Sequence, residues 1–127
     1  MAKILVVDDD HNNRLLLKTV LSHDKHIVFE AQSATEGLRL IAEHGPDLLV
    51  VDLRMPDIDG VTFVRNLRAD PAHAKLEIAL YTGTELTAAL EDFLQLHRVK
   101  TVIPKPSEPE EILRRVRAAL TSDSDAS

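Results

Sequence analysis

The chain has 127 residues and no cysteine, which bounds it to about one domain and excludes disulfides, thiolate metal sites and cysteine nucleophiles. With 44% hydrophobic and 28% charged residues, three Phe, one Tyr and no Trp, it reads as a soluble globular domain with an aliphatic core. No apolar run approaches the roughly 20 residues of a bilayer span, no signal-peptide pattern is present, and the formal charge of -6 weighs against non-specific nucleic-acid binding, so a cytoplasmic location is expected.

Ala2 to Val7 predicts a central strand, short and rich in β-branched residues, cut off by Asp8-Asp9-Asp10. A helix follows from His11 to about Ser22, with Leu16, Leu17, Val20 and Leu21 as its buried face and Asp9 or Asp10 as its cap. His26 to Ala31 is the second strand. Ser33-Ala34-Thr35-Glu36 has the pattern of a capping box, with Leu38, Ile41 and Ala42 facing inward before Gly45-Pro46 ends the helix. Leu48 to Val51 then has no polar alternation, which suits a strand buried on both faces of a parallel sheet. It delivers Asp52 to a loop of turn formers, Pro56, Asp57, Asp59 and Gly60.

Val61, Val64 and Leu67 mark a third helix, broken at Asp70-Pro71 before a polar loop. Leu76 to Thr82 is the fourth strand. Gly83-Thr84 turns into a helix carrying Leu86, Leu90, Phe93 and Leu94, and Val99 to Ile103 is a short fifth strand closed by Lys105-Pro106. Ser107-Glu108-Pro109-Glu110 reads as a second capping box ahead of a helix that buries Ile112, Leu113, Val116 and Leu120. The acidic, serine-containing residues 122–127 are expected to form a flexible tail after a single domain at 1–121.

Five strands alternating with five helices predict an α/β fold, a doubly wound parallel sheet of flavodoxin-like (βα)5 type with strand order 2-1-3-4-5 and a switch point between the first and third strands. The strands that can feed that crevice end in Asp8, Asp9 and Asp10, in Asp52, in Thr82 and in Lys105. Taken singly, the acids read as caps, Thr82 as strand propensity and Lys105 as a solvated charge; their joint placement argues for one site. Three carboxylates meeting there must keep protons or share a cation. Oxygen-only ligands favour a hard ion, Mg²⁺, with Asp9 and Asp52 as ligands and Asp8 acting through water. Asp52 can also be a nucleophile that passes through an aspartyl-phosphate, with Lys105 and the metal balancing the equatorial oxygens and the Thr82 hydroxyl donating to one of them.

Asp8-Asp9, Asp52 within Val-Val-Asp-Leu-Arg-Met-Pro-Asp-Ile-Asp-Gly, Thr82 before a small residue, and Lys105-Pro106 resemble the receiver domain of two-component response regulators over about residues 2–121. The resemblance implies that Asp52 accepts a phosphoryl group from a sensor histidine kinase or a histidine phosphotransfer protein. It implies Mg²⁺ held by Asp9, Asp52 and the main-chain carbonyl of Arg54, and a cis Lys105–Pro106 peptide. Such a domain is a switch and not an enzyme, beyond assisting its own phosphorylation and dephosphorylation.

Its signal would leave through an effector protein or an output domain outside this sequence, with no direct contact to nucleic acid or membrane. A homodimer through the fourth helix, fifth strand and fifth helix is a further expectation. On the helical parts of that surface Arg98, Arg114, Arg115 and Arg117 read first as solvated side chains and second as an interface. Two positions depart from the family pattern. Val102 stands where the family carries an aromatic, and Tyr81 cannot replace it because neighbouring strand residues face opposite ways. Pro104 removes a backbone donor and suits an edge strand.

Two other readings compete with the receiver. In one, Asp8 and Asp10 form the strand-end Asp-x-Asp of a haloacid-dehalogenase-like phosphatase, Asp8 as nucleophile and Asp10 as acid. In the other, the chain is a pseudo-receiver, a scaffold that is never phosphorylated.

Overall fold

The β-branched and leucine runs become the strands, and each is followed by a helix; a short polar side chain caps the first amides of the first four. In a computed structural model that describes residues 1–55 and 57–125, the order is β1 (Lys3–Val7), α1 (His11–His23), β2 (Ile27–Ala31), α2 (Ala34–His44), β3 (Leu48–Val51), α3 (Gly60–Ala69), β4 (Glu77–Thr82), α4 (Ala88–Leu96), β5 (Thr101–Pro104) and α5 (Pro109–Asp125). The strands pair in parallel in the order β2-β1-β3-β4-β5, so β3 lies at the centre and β5 at an edge. Register is set by burial: Val7 lies opposite Val51 and Val51 opposite Leu80, all fully enclosed. A one-residue slip would invert every side chain of the strand.

Two aliphatic clusters cover the two faces. Leu17, Val20 and Leu21 of α1 and Ile112, Val116 and Ala119 of α5 pack on Ile4, Val6, Val50, Tyr81 and Ile103. Ala34 and Ile41 of α2, Phe63, Val64 and Leu67 of α3 and Leu94 of α4 pack on Leu5, Val7, Leu49, Val51 and Leu80. At roughly 1.5–3 kcal/mol for each fully buried aliphatic side chain, these two layers are the main stabilising term and hold the strand ends still.

The caps follow the sequence in part. Asp10 accepts from the Asn13 amide at 3.1 Å, and Ser33 accepts from Glu36 N at 3.2 Å while Glu36 reaches back to Gln32 N at 2.9 Å. Gly45 ends α2 in the left-handed region at φ 55°. The second capping box does not form: the Ser107 hydroxyl donates to the Pro104 carbonyl, and Glu108 O receives the first helical bond from Ile112 N at 3.0 Å.

The buried faces of α1 and α2 are narrower than their leucines suggest. Leu16 lies one 100° step from Leu17 and is 39% exposed. In α2 the sheet-facing stripe is Ala34, Gly37 and Ile41, because a Cβ on Gly37 would stand 3.1 Å from Val7 Cγ2, and Leu38 and Ala42 therefore turn outward. A 3₁₀ turn at Pro71–His73 fills the expected loop, and α4 starts only at Ala88 behind the Thr87 cap, leaving Leu86 outside it. Val99 is buried but precedes β5, and α5 continues past Leu120 to Asp125. Pro56 and residues 126–127, assigned to the turn and the tail by sequence, lie outside the described residues.

The four arginines expected to be solvated all make bonds. Arg98 donates to Ala74 O at 3.3 Å, Arg114 pairs with Glu111, Arg115 donates to Val102 O at 2.7 Å, and Arg117 grips Asp24 at the end of α1 at 2.7 and 2.8 Å. Arg115 thereby covers a carbonyl that edge strand β5 would leave open. Among the described residues no helix is long and apolar enough to cross a membrane.

Candidate functional site

Because β1 and β3 are neighbours and α1 and α3 leave on opposite faces, the carboxyl ends of these strands open into one crevice. Asp8, Asp9 and Asp52 meet there: one carboxylate oxygen from each lies within 4.8 Å of the others. Asp8 is 1% exposed and Asp52 8%, whereas Asp9 is open to solvent. An open cleft of about 240 Å³ beside them is lined by Asp52, Arg54, Thr82, Gly83, Thr84 and Lys105.

Lys105 reaches in from the end of β5, its amide held by Thr82 O at 3.0 Å. Its Nζ donates to Asp8 Oδ2 at 3.1 Å and lies 3.3 Å from Asp52 Oδ2, so one ammonium bridges the two buried carboxylates. The peptide from Lys105 to Pro106 is cis, as the family resemblance implies. Both Asp8 oxygens have partners, since its Oδ1 accepts from Asp10 N at 2.9 Å. The Thr82 hydroxyl oxygen accepts from Thr84 N at 3.1 Å, which folds the β4–α4 loop over the cleft and leaves the hydroxyl proton free to donate.

Burial is the largest influence on Asp52 and pushes its carboxyl above the ordinary 3.8; Asp8 adds to that, while Lys105 and the Arg54 amide oppose it. For Lys105 burial alone would lower the ammonium, but the hydrogen bonds and charges of Asp8 and Asp52 outweigh it and hold the group above its usual 10.5. The site thus carries more negative charge than its lysine neutralises. A set of oxygen donors with uncompensated charge fits a hard divalent cation.

The loop after Asp52 does more than turn. Gly60 N donates to Leu53 O at 2.8 Å, and a Cβ there would stand 2.6 Å from Asp52 O and from Leu53 Cα, so only glycine lets α3 begin against the backbone of Asp52. Asp59 caps α3 through Thr62 N at 2.8 Å. Asp57 crosses to α2, accepting from Thr35 N at 3.1 Å, Thr35 Oγ1 at 2.9 Å and Ala34 N at 3.3 Å, and these bonds hold its carboxyl at about 2.

Of the side chains that the sequence placed at this crevice, Asp8, Asp9, Asp52, Thr82 and Lys105 come together here, whereas Asp10 turns to cap α1. Sequence reasoning missed four contributors. Asp57 and Gly60 stood out only as turn formers. Arg14 pins the Asp8 main chain through its carbonyl at 2.7 Å and is itself paired with Glu30 at 3.4 Å. Tyr81 lies under Lys105, the Nζ 4.9 Å from its ring centroid. Their partners come from other elements, so spacing gives no signal for them. Val102 packs with the α4-side cluster, on the face opposite Tyr81, as strand alternation requires.

Comparison with known proteins agrees with this geometry. Residues 4–117 match the model of the response regulator receiver domain. The chain is 37% identical over 126 residues to response regulator MprA of a Mycobacterium species, covering 93% of this chain and 50% of that protein. It is 33% identical to the KDP operon transcriptional regulatory protein KdpE of Escherichia coli, covering 94% of this chain and 52% of the relative. It therefore spans about half the length of these relatives. The solved receiver domain of HemR from Leptospira biflexa superposes with a TM-score of 0.84 at 27% identity over 95% of each chain.

Proposed function

The chain belongs to the response regulator receiver domains, signalling modules of two-component systems, and from that membership we propose that Asp52 is its phosphoryl acceptor. The observation that carries the reading is Asp52 at the mouth of the cleft with Lys105 Nζ 3.3 Å from its carboxylate. An Asp52 oxygen attacks phosphorus, the bond from phosphorus to the donor nitrogen or oxygen breaks, and the donor leaves with that electron pair. Lys105 turns its ammonium to the transferred oxygens and Thr82 donates its hydroxyl to one of them. A bound Mg²⁺ would lower the charge of the acids and of the incoming phosphoryl group. Asp9, Asp52 and the Arg54 carbonyl would hold it, with Asp8, whose oxygens already have partners, acting through water.

The donor is a sensor histidine kinase or histidine phosphotransfer protein, and the module also assists its own dephosphorylation. The altered state acts on an effector or an output domain, in the cytoplasm and without direct contact to nucleic acid. The α4–β5–α5 face is the candidate homodimer surface. With Val102 in place of an aromatic, Thr82 couples to that face without a rotating ring. Nothing favours the two competing readings. Asp8 is enclosed and bound to Lys105 and Asp10 N, and Asp10 serves as the cap of α1, which suits neither to phosphatase roles.

Incubation with acetyl phosphate and Mg²⁺, followed by mass spectrometry, tests the assignment. A phosphoryl adduct should form on wild type and be absent from Asp52→Asn. An adduct that survives Asp52→Asn and disappears in Asp8→Asn would overturn it in favour of the phosphatase reading, and no adduct on any form would leave a scaffold.

A further inference from the structure

Among the described residues the side chain of the cleft lysine has three partners, and two of them are engaged elsewhere during the proposed reaction. Asp8 and Asp52 lie 3.1 and 3.3 Å from Lys105 Nζ, yet both belong to the acid cluster, and Asp52 would become the acyl phosphate. The third partner is the face of Tyr81, 4.9 Å from Nζ to the ring centroid. That distance is inside the range over which an ammonium is drawn to the negative face of an aromatic ring. The ring neither ligates a cation nor reacts.

Tyr81 is also enclosed. It is 3% exposed on β4, next to Thr82, and packs among the residues that α1 and α5 cover, including Ile4, Val6 and Ile103. Lys105 has the opposite character, a compact charge on a flexible four-carbon stem without the planar fork by which arginine fixes its own geometry. An ammonium that loses a carboxylate partner needs a wall that stays in place. Among the contacts described for Lys105, only the ring provides one.

We infer that Tyr81 is a positioning residue for phosphoryl transfer: through the face of its ring it holds the Lys105 ammonium beside Asp52 as the carboxylates change partners. The inference rests on the phosphoacceptor reading above. The ring face carries the effect and the phenol group does not, so Phe should replace Tyr and an aliphatic side chain of similar bulk should not. A purely structural aromatic would show the reverse pattern, a change in melting temperature with unchanged kinetics.

The test compares Tyr81→Phe and Tyr81→Leu in acetyl phosphate and Mg²⁺, following the Asp52 adduct at varied acetyl phosphate. Tyr81→Leu should lower the maximal rate about fivefold to tenfold at nearly constant half-saturation, and Tyr81→Phe should stay within about twofold of wild type. A folded Tyr81→Leu that phosphorylates at the wild-type rate overturns the inference, as does a Tyr81→Phe that is equally slow.

A second readout needs neither variant of Tyr81 nor phosphorylation. Tyr81 is the single tyrosine of a chain without tryptophan, so the near-ultraviolet band reports on it directly. In metal-free buffer Lys105→Met should shift that band and Lys105→Arg should restore it, whereas an unmoved band in folded Lys105→Met removes the contact and the inference with it. A wild type that takes no phosphoryl group while its tyrosine band still answers to Lys105→Met would overturn the phosphoacceptor reading and hence the role, but not the contact.

Discussion

Asp52 and Asp57 stand on the same loop and are pushed in opposite directions. Asp52 is enclosed beside another carboxylate, and burial lifts it above 3.8; Asp57 lies on the surface, receives three hydrogen bonds at the start of α2, and is held at about 2. The end of the loop that carries Asp52 is therefore a place where the fold tolerates unfavourable electrostatics, and the far end is where the chain recovers stability. Asp57, Asp59 and Gly60 fasten the loop to α2, to α3 and to the backbone of Asp52 itself. An ionised group can be kept poised for chemistry because its loop is tied down elsewhere.

The sharpest way to break this division of labour is Gly60→Ala. The added Cβ meets backbone on two sides at 2.6 Å, so the loop must move, and a loss of about 3 kcal/mol in urea unfolding is expected, together with slower phosphorylation of Asp52. Lys105→Met comes next. It leaves buried Asp8 without its cation, and about 2 kcal/mol should be lost in metal-free buffer, with a smaller loss when Mg²⁺ is added. Equal losses with and without Mg²⁺ would argue against a cation at the acid cluster.

Asp52→Asn should act in the other direction, raising stability by about 1 kcal/mol at neutral pH while abolishing the adduct. The sign follows from linkage. An acid whose folded pKa is raised favours folding below its unfolded value and loses that contribution as pH rises through the folded one. The advantage of Asp52→Asn in thermal melts should accordingly be present at pH 7 and shrink toward pH 4. The smallest effect belongs to Asp57→Asn, a modest drop in melting temperature at pH 7. Asp57 is lowered, so its contribution is full above 3.8 and lost as pH falls toward about 2; the gap between wild type and variant should close over that window. A gap that widened with acid would contradict the assignment of Asp57 as anchor.

Much of this was legible before any coordinates. The unbroken run Leu48 to Val51 announced a strand buried on both faces, and the residues that end β1, β3, β4 and β5 are the ones that meet at the crevice. Errors fell where a local pattern had two solutions. Leu16 and Leu38 sit at helical spacings as acceptable as those of Leu17 and Ile41, and only the approach of each helix to the sheet chose between them. Ser107 carried a capping pattern, but the Pro104 carbonyl at the end of an edge strand was the partner it took. Leu86 fell outside α4 because Thr82 binds the Thr84 amide, with Gly83 and Thr84 lining the cleft, and the Thr87 side chain supplies the cap one residue before Ala88.

By itself, then, the amino-acid sequence determined the succession of strands and helices, the parallel sheet and the placement of Asp52 at a strand end, since each depends on residue type and on periodicities of two or 3.6 residues. The tertiary structure alone decided that Asp57 would bind the start of α2, that Arg115 would cover Val102, that Gly60 would press on the backbone of Asp52, and that the ring of Tyr81 would lie under Lys105. Those contacts join elements far apart along the chain, and which atoms meet depends on how helices cross a twisted sheet. No periodicity within one element records that.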